Sequence, residues 1–374
     1  MKKYDVAAYI WPAYSREEIA KIFWPMGIGE WETVMKNKPK FEGHEQPRYP
    51  LWGYVNEADP YVMEMQIEAA YDHGVNVFIY DWYWYDRRPY LEGCLNNGYL
   101  KARNNNKVKF YLMWANHDVN LGWDKRNADD AFTNQNSPIL WNGGVDSAEF
   151  KKICRRLIDN YFSQPSYYKI DGKPVFMLYD LDVLVTGFGG LKETKEAFDW
   201  FREEVVKAGF EGLELQTTMR SLRDYNATCV AGDSIGTPRE VIDAIGFNSL
   251  THYQFCHFAN VKNDYNNIVS EALTEWNKII SDYDIPYYPH VSVGWDTNPR
   301  ANVLIEHITT NNTPQNFEKA LLLAKEFSDK HNKTPLITIN SWNEWTETSY
   351  LQPCTKYGYG YLEAVKKVFG GGNV

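Results

Sequence analysis

The sequence predicts an α/β protein: a single (β/α)8 TIM barrel spanning residues 1–374, with long aromatic loops at the C-terminal face of its strands. Three observations predict it. Eight short β-rich runs recur along the chain. Helical periodicity fills most of the gaps between them. No Gly-rich phosphate turn follows an early strand, as a doubly wound sheet would require.

The strand-like runs are 4–10 (YDVAAYI), 75–81 (VNVFIYD), 108–114 (VKFYLMW), 174–180 (PVFMLYD), 212–218 (GLELQTT), 244–249 (AIGFNS), 287–294 (YYPHVSVG) and 335–340 (PLITIN). Most are continuous apolar stretches, as expected of strands covered on both faces. The first helical segment is bracketed by Asp59 as N-cap, Pro60 in the first turn and Gly74 as stop. Four further amphipathic segments begin near Ser147, Leu191, Asn266 and Thr313, and the last helical pattern ends at Gly370. KIDGKP (169–174) reads as a structural turn before strand 4. Two connections are long: 11–58, too aromatic for disorder, and 116–146, rich in Asn, Asp and Gly.

Composition narrows the function. A formal net charge of -10 argues against nucleic acid or anionic membrane as partner. No apolar run reaches membrane-span length. The opening MKKYDVAAYIWP lacks the apolar stretch of a secretory leader. As written the chain reads as cytoplasmic, or as a periplasmic or surface protein whose leader has been removed. The five cysteines (94, 154, 229, 256, 354) are scattered and odd in number, and read as reduced thiols rather than a disulfide framework or zinc site. No cofactor or metal is expected, and no pattern sets an oligomeric state. With 14 Trp, 27 Tyr and 18 Phe, aromatics make up 16% of the chain, many of them in loop-like segments. Exposed rings suit flat, partly apolar ligands such as sugars.

Barrel active sites lie at the C-terminal ends of the strands, so the candidate residues are read there. They are Trp11 after strand 1; Asp81, Trp82 and Tyr83 after strand 2; Trp114, Asn116 and His117 after strand 3; and Tyr179 with Asp180 after strand 4. Tyr253 follows strand 6, Trp295, Asp296 and Arg300 follow strand 7, and Asn343, Glu344, Trp345 and Glu347 follow strand 8. Tryptophan and carboxylate recur around one rim, which points to a carbohydrate substrate. Glycoside cleavage needs two carboxyl groups at one bond, one of them kept protonated by burial or by its neighbour's charge. Glu344 and Glu347 are the leading pair, with Asp180 and Asp296 as second choice.

The stretches EWETVMKNKPKFEGHEQPRYP, MWANHD, KIDGKPVFMLYD, GWDTNPR and SWNEWTETSYLQPCTKYGYGYLEAV together resemble the WbsX-like family, which is glycoside hydrolase family 99-like. The resemblance covers nearly the whole chain. WbsX-like proteins are named as glycosyltransferases of polysaccharide gene clusters, whereas family 99 contains retaining endo-acting mannosidases and mannanases. Family 99 carries Asn-Glu-Trp-His-Glu after its last strand; here the matching residues are Asn343, Glu344, Trp345, Thr346 and Glu347. By that resemblance Glu344 is the base on the sugar's own 2-hydroxyl, giving a 1,2-anhydro sugar, and Glu347 is the general acid and then base. Thr346 in place of His puts one substrate contact of the family in question. The same resemblance has Asp296 holding Arg300 or a sugar hydroxyl. Two other classes remain open: a metal-dependent transferase using Asp-x-Asp at 180–182, and a non-catalytic saccharide-binding barrel.

Overall fold

The computed structural model describes residues 3–124, 126, 137–219, 227 and 235–370. Cys229 and residues 127–136 of the second long loop lie outside them. Eight parallel strands form the centre: β1 (Asp5–Ile10), β2 (Val77–Tyr85), β3 (Lys109–Trp114), β4 (Lys173–Leu178), β5 (Glu214–Thr218), β6 (Ser249–Thr251), β7 (His290–Ser292) and β8 (Leu336–Asn340). Their order is β6-β5-β4-β3-β2-β1-β8-β7. A parallel bridge between Leu250 and Tyr287 joins the two ends, so the sheet closes almost completely into a (β/α)8 barrel.

Among the described residues the α-helices are α1 (Trp31–Met35), α2 (Pro60–Asp72), α3 (Ser147–Arg156), α4 (Leu181–Phe188), α5 (Leu191–Lys207), α6 (Pro238–Ile245), α7 (Tyr265–Asp282), α8 (Pro314–His331) and α9 (Gly360–Phe369). Their starts follow local chemistry. The Asp59 side chain accepts from Tyr61 N at α2, and Thr237 and Glu240 form a capping box at α6. The KIDGKP turn pairs Ile170 with Lys173 through Asp171 and Gly172, both at positive φ, as a two-residue hairpin demands. Strand 6 departs from the sequence pattern. It lies at 249–251 rather than 244–249, because Ala244 and Ile245 complete α6 and Gly246, in the left-handed conformation, ends it. The free thiols Cys94, Cys154 and Cys354 are buried, and Cys256 is half-buried. Among the described residues no helix is long and apolar enough to cross a membrane.

The 11–58 connection packs on the C-terminal face. Trp31 of α1 lies against Tyr14 at 4.0 Å between ring centroids and against Trp345 at 5.9 Å. Its indole donates to Val55 O at 2.7 Å, and Glu57 N donates to Tyr14 O at 2.9 Å. Apolar packing and paired backbone groups thus hold a segment of little regular structure.

Register decides which strand residues reach that face. Asp81 pairs with Met113 and Trp82 with Trp114 in the β2–β3 ladder. Successive side chains point to opposite sides, so Asp81 and Tyr83 face the strand-end opening while Trp82 and Trp114 turn outward beneath the helices. Trp82 is 2% exposed and donates to Glu92 at 2.8 Å. Trp114 is 0% exposed and stacks on Phe150 of α3. The expectation that these two rings bind sugar is corrected by this register: they are core. Replacing Trp114 with Ala is expected to cost about 3–5 kcal/mol of stability in urea unfolding, with saccharide affinity unchanged in the variant that remains folded.

Candidate functional site

A cavity of 390 Å³ opens at the C-terminal ends of the strands, within the size range of small-ligand sites. Of the residues expected there, Trp11, Asp81, Tyr83, His117, Tyr179, Tyr253, Arg300, Glu344 and Glu347 line it, as does Asp180. The two long loops add residues that sequence reasoning missed: Trp24, Glu30 and Thr33 from the first, Asp118 and Trp123 from the second. Glu30 is one of several carboxylates in an aromatic loop, and nothing local singles it out; its partner sits 270 residues away along the chain.

Local structure explains why both glutamates face the cavity. After β8 the Ser341 hydroxyl accepts from Glu344 N at 2.7 Å, and Asn343–Glu344 pair antiparallel with Ser349–Tyr350. The hairpin tip is a 3₁₀ turn over Trp345–Glu347. Side chains three apart eclipse in such a turn, so Glu344 and Glu347 project the same way. Trp345 projects the other way, stacking on Tyr350 at 3.8 Å and donating to Gln352. Thr346, where family 99 has His, is also buried and does not line the cavity.

Arg300 joins the carboxylates. Its Nε and Nη2 donate to Glu30 at 2.9 and 3.3 Å, Nη2 also to Glu344 Oε1 at 2.6 Å, and Nη1 to Glu347 Oε1 at 2.7 Å. The guanidinium lies 5.6 Å from the Trp11 ring centre, and the Trp11 indole donates to Glu30. Planar, always charged and carrying five donors, arginine serves three acceptors where lysine would not. Burial and these three carboxylates act on Arg300 in opposite senses, and the carboxylates prevail, holding its pKa well above the usual value.

The two glutamates are not equivalent. Glu344 is held at both oxygens: Arg300 at Oε1, and the Tyr253 hydroxyl at Oε2, 3.1 Å away. Among the described residues Glu347 receives Arg300 at Oε1 only, and its buried Oε2 has no hydrogen-bond partner. Burial, then the charge of Glu344, pushes Glu347 up to about 8, while Arg300 holds it back. Glu344 is also raised by burial, against the opposing pull of Arg300 and Tyr253. The carboxyl with more donors is the better anion; the one with fewer retains its proton.

Several expected site residues serve elsewhere. Asn116 clamps the end of β4, donating to Asp180 O at 2.7 Å and accepting from Asp180 N at 2.9 Å. Asp180 caps α4, accepting from Val183 N, and Asp182 does not line the cavity. Asn343 binds the Trp11 backbone at both its N–H and its carbonyl, and donates to Glu57. Asp296 holds neither Arg300 nor an open position: it accepts from Gln46 at 2.8 Å and from Asn298 at 2.7 Å, and contacts His44 at 2.9 Å. Trp295 is half-buried and packs on the core outside the cavity. The side chains of Asn116, Asp180, Asn343 and Asp296 anchor loop backbone or a neighbouring loop, work that a strand-end position does not distinguish from ligand binding.

Fold and site together define an α/β barrel whose strand ends open on an acidic, aromatic-walled cavity. The chain belongs to the family described as Glycosyltransferase WbsX, which it matches over residues 6–365. It is 25% identical over 358 residues to the uncharacterized protein WxcX of two strains of Xanthomonas campestris pv. campestris, covering 92% of this chain and 46% of the relative. The chain thus spans about half the length of these curated relatives. A solved structure titled glycoside hydrolase-like protein matches with a TM-score of 0.62 at 16% identity, over 99% of this chain and 94% of the other. The GH99 endo-alpha-mannosidase from Bacteroides thetaiotaomicron matches with a TM-score of 0.57 at 14% identity, over 97% and 95%. At such identities these structures share the fold.

Replacing Arg300 with Met leaves three buried carboxyl groups without their cation, a change that typically costs about 3–5 kcal/mol. With raised folded-state pKa values, Glu344 and Glu347 keep their protons after the unfolded chain has released its own. The stability loss is therefore expected to be small at pH 5 and to grow as the pH rises to 8. Urea midpoints at the two pH values test this; equal losses would show that Arg300 does not neutralise the site.

Proposed function

We propose that the whole chain is one catalytic barrel that cleaves a polysaccharide or oligosaccharide as a retaining, endo-acting glycoside hydrolase. The observation that carries the reading is the asymmetry around Arg300: two carboxyl groups on one turn share a guanidinium, one doubly held as an anion and one with a buried free oxygen. That is the division between base and acid that glycoside cleavage needs. Glu344 takes the proton of the substrate's 2-hydroxyl, whose oxygen attacks the anomeric carbon. Glu347 gives its proton to the departing oxygen. Water, deprotonated by Glu347, then opens the 1,2-anhydro sugar, and the 2-oxygen recovers a proton from Glu344. Trp11, Tyr83, Tyr179 and His117 supply ring faces and edges for the sugar.

The family's name supports a second reading, transfer of the glycosyl group to an acceptor hydroxyl in place of water. The same two carboxyls serve it, since the acceptor is deprotonated as water would be. A nucleoside-diphosphate donor fits this cavity poorly. Six carboxyl groups line it, and its arginine already bonds three of them. Incubation with a panel of polysaccharides, alone and with an acceptor sugar, separates the two: released oligosaccharides mark hydrolysis, elongated acceptor marks transfer.

Glu347→Gln is expected to lower kcat on natural glycosides by about 10²–10⁴-fold, the usual worth of a general acid, and to affect the first step on activated aryl glycosides much less. Glu344→Gln is expected to fail on both. Near-wild-type rates in either variant on polysaccharide would remove the assignment.

Since Glu347 acts as an acid only while protonated, kcat/KM on natural glycosides is expected to fall as the pH rises through about 8. A rate still flat well above that pH would contradict the role. A 2-fluoro glycoside with a good leaving group has no 2-hydroxyl and is expected to be inert. A covalent adduct seen by intact-protein mass measurement would instead mark a carboxylate nucleophile.

A further inference from the structure

Between the two halves of the site lies a third carboxyl group that this scheme does not use. Asp81, at the end of β2, is 3% exposed. Its Oδ2 lies 2.9 Å from the Tyr253 hydroxyl, and its buried Oδ1 has no hydrogen-bond partner among the described residues although Asp81 lines the cavity. The same Tyr253 hydroxyl lies 3.1 Å from Glu344 Oε2. A phenol has one proton. It can donate to Asp81 or to Glu344, and two ionised carboxylates cannot both be satisfied by it. The contact is resolved when one of the two carries a proton of its own and donates to the phenol oxygen.

The surroundings decide which one. Glu344 has Arg300 on its other oxygen, so its anion is held. Among the described residues no cation acts on Asp81. Its charged neighbours are Glu344 and Glu347, and the rings nearest it are the phenols of Tyr253, Tyr83 and Tyr9. Burial, then the charge of Glu344, raises the Asp81 pKa well above the usual carboxylate range. The Tyr253 ring is itself fixed edge-on against Tyr9 and Tyr179, at 4.9 and 5.3 Å.

We propose that Asp81 is a positioning residue that works as a neutral carboxylic acid: it donates its proton to the Tyr253 oxygen, which turns the Tyr253 proton onto Glu344. The chain Asp81–Tyr253–Glu344–Arg300 then keeps Glu344 ionised, as a base must be. No bond is made or broken at Asp81 and its proton is not consumed. This inference rests on Glu344 acting as a base on a saccharide.

Asparagine distinguishes the roles, because its amide can donate to Tyr253 without any charge. Asp81→Asn is expected to stay within about threefold of the wild-type kcat/KM, whereas Asp81→Ala is expected to lose about ten- to a hundredfold, the worth of a hydrogen bond to a charged group. The second readout needs no turnover: the infrared difference spectrum, wild type minus Asp81→Asn at neutral pH, is expected to contain the carbonyl stretch of a protonated carboxyl group. Asn as damaging as Ala, or a difference spectrum with only carboxylate bands, would overturn the proposal. So would an Ala variant as active as wild type. If the wild type processes no saccharide, the functional reading fails, and the infrared band alone still decides the protonation of Asp81.

Discussion

The guanidinium of Arg300 is the interaction on which the rest of the site depends. Glu30 comes from the first long loop, Arg300 from the segment after β7, and Glu344 and Glu347 from the turn after β8. Buried together without a cation, three carboxylates would repel one another and lose their hydration. With Arg300 among them, Glu30 has two charge-assisted bonds and Glu344 and Glu347 one each, so the difference between the two glutamates of the turn arises from what else each one touches. Tyr253 supplies that difference to Glu344, and a free oxygen leaves Glu347 ready to hold a proton. The carboxylates in turn hold Arg300 against Trp11, so the charged centre and one aromatic wall share their supports.

Beneath the site lies a buried polar layer that fixes the loop after β8. Asn343 binds the Trp11 backbone and Glu57; Glu57 accepts from Gln66 and Gln352; Gln352 accepts from the Trp345 indole, and Gln66 from that of Trp342. Burial raises Glu57 to about 7 despite these donors. Amides and indoles satisfy one another here where apolar packing alone would leave backbone and carboxyl groups unpaired. The aromatic richness of the tryptophan-containing turn is therefore divided in two. Trp342 and Trp345 belong to this foundation, and the cavity walls come from Trp11, Trp24 and Trp123.

Much of the architecture was legible in the chain. Continuous apolar runs, Asp59 and Pro60 before α2, and Asp-Gly in the hairpin before β4 are local signals, and local structure followed them. Strand 6 was misread because Ala244 and Ile245 are apolar in either a helix or a strand; the end of α6 at Gly246 separates the two. The rim was legible as a set of positions and not as a set of roles. Asp81 and Trp82 are adjacent in sequence, and register alone puts one in the cavity and the other in the core against Glu92 and Trp84. Asp296 stands in a motif with Arg300, yet it bonds His44 and Gln46, more than 240 residues earlier.

The sequence by itself determined the barrel, the strand-end face on which the cavity opens, and that Glu344 and Glu347 share one turn, because periodicity, capping and the spacing of a single turn are properties of neighbouring residues. The tertiary structure alone decided that Glu30 completes the charge centre, that Asp81 shares a proton donor with Glu344, and that Trp82, Trp114, Asn116 and Asp296 face away from the cavity. Those outcomes depend on which loops meet over the strand ends. A carboxyl group's charge, like a ring's exposure, is set by the groups that meet it across the fold.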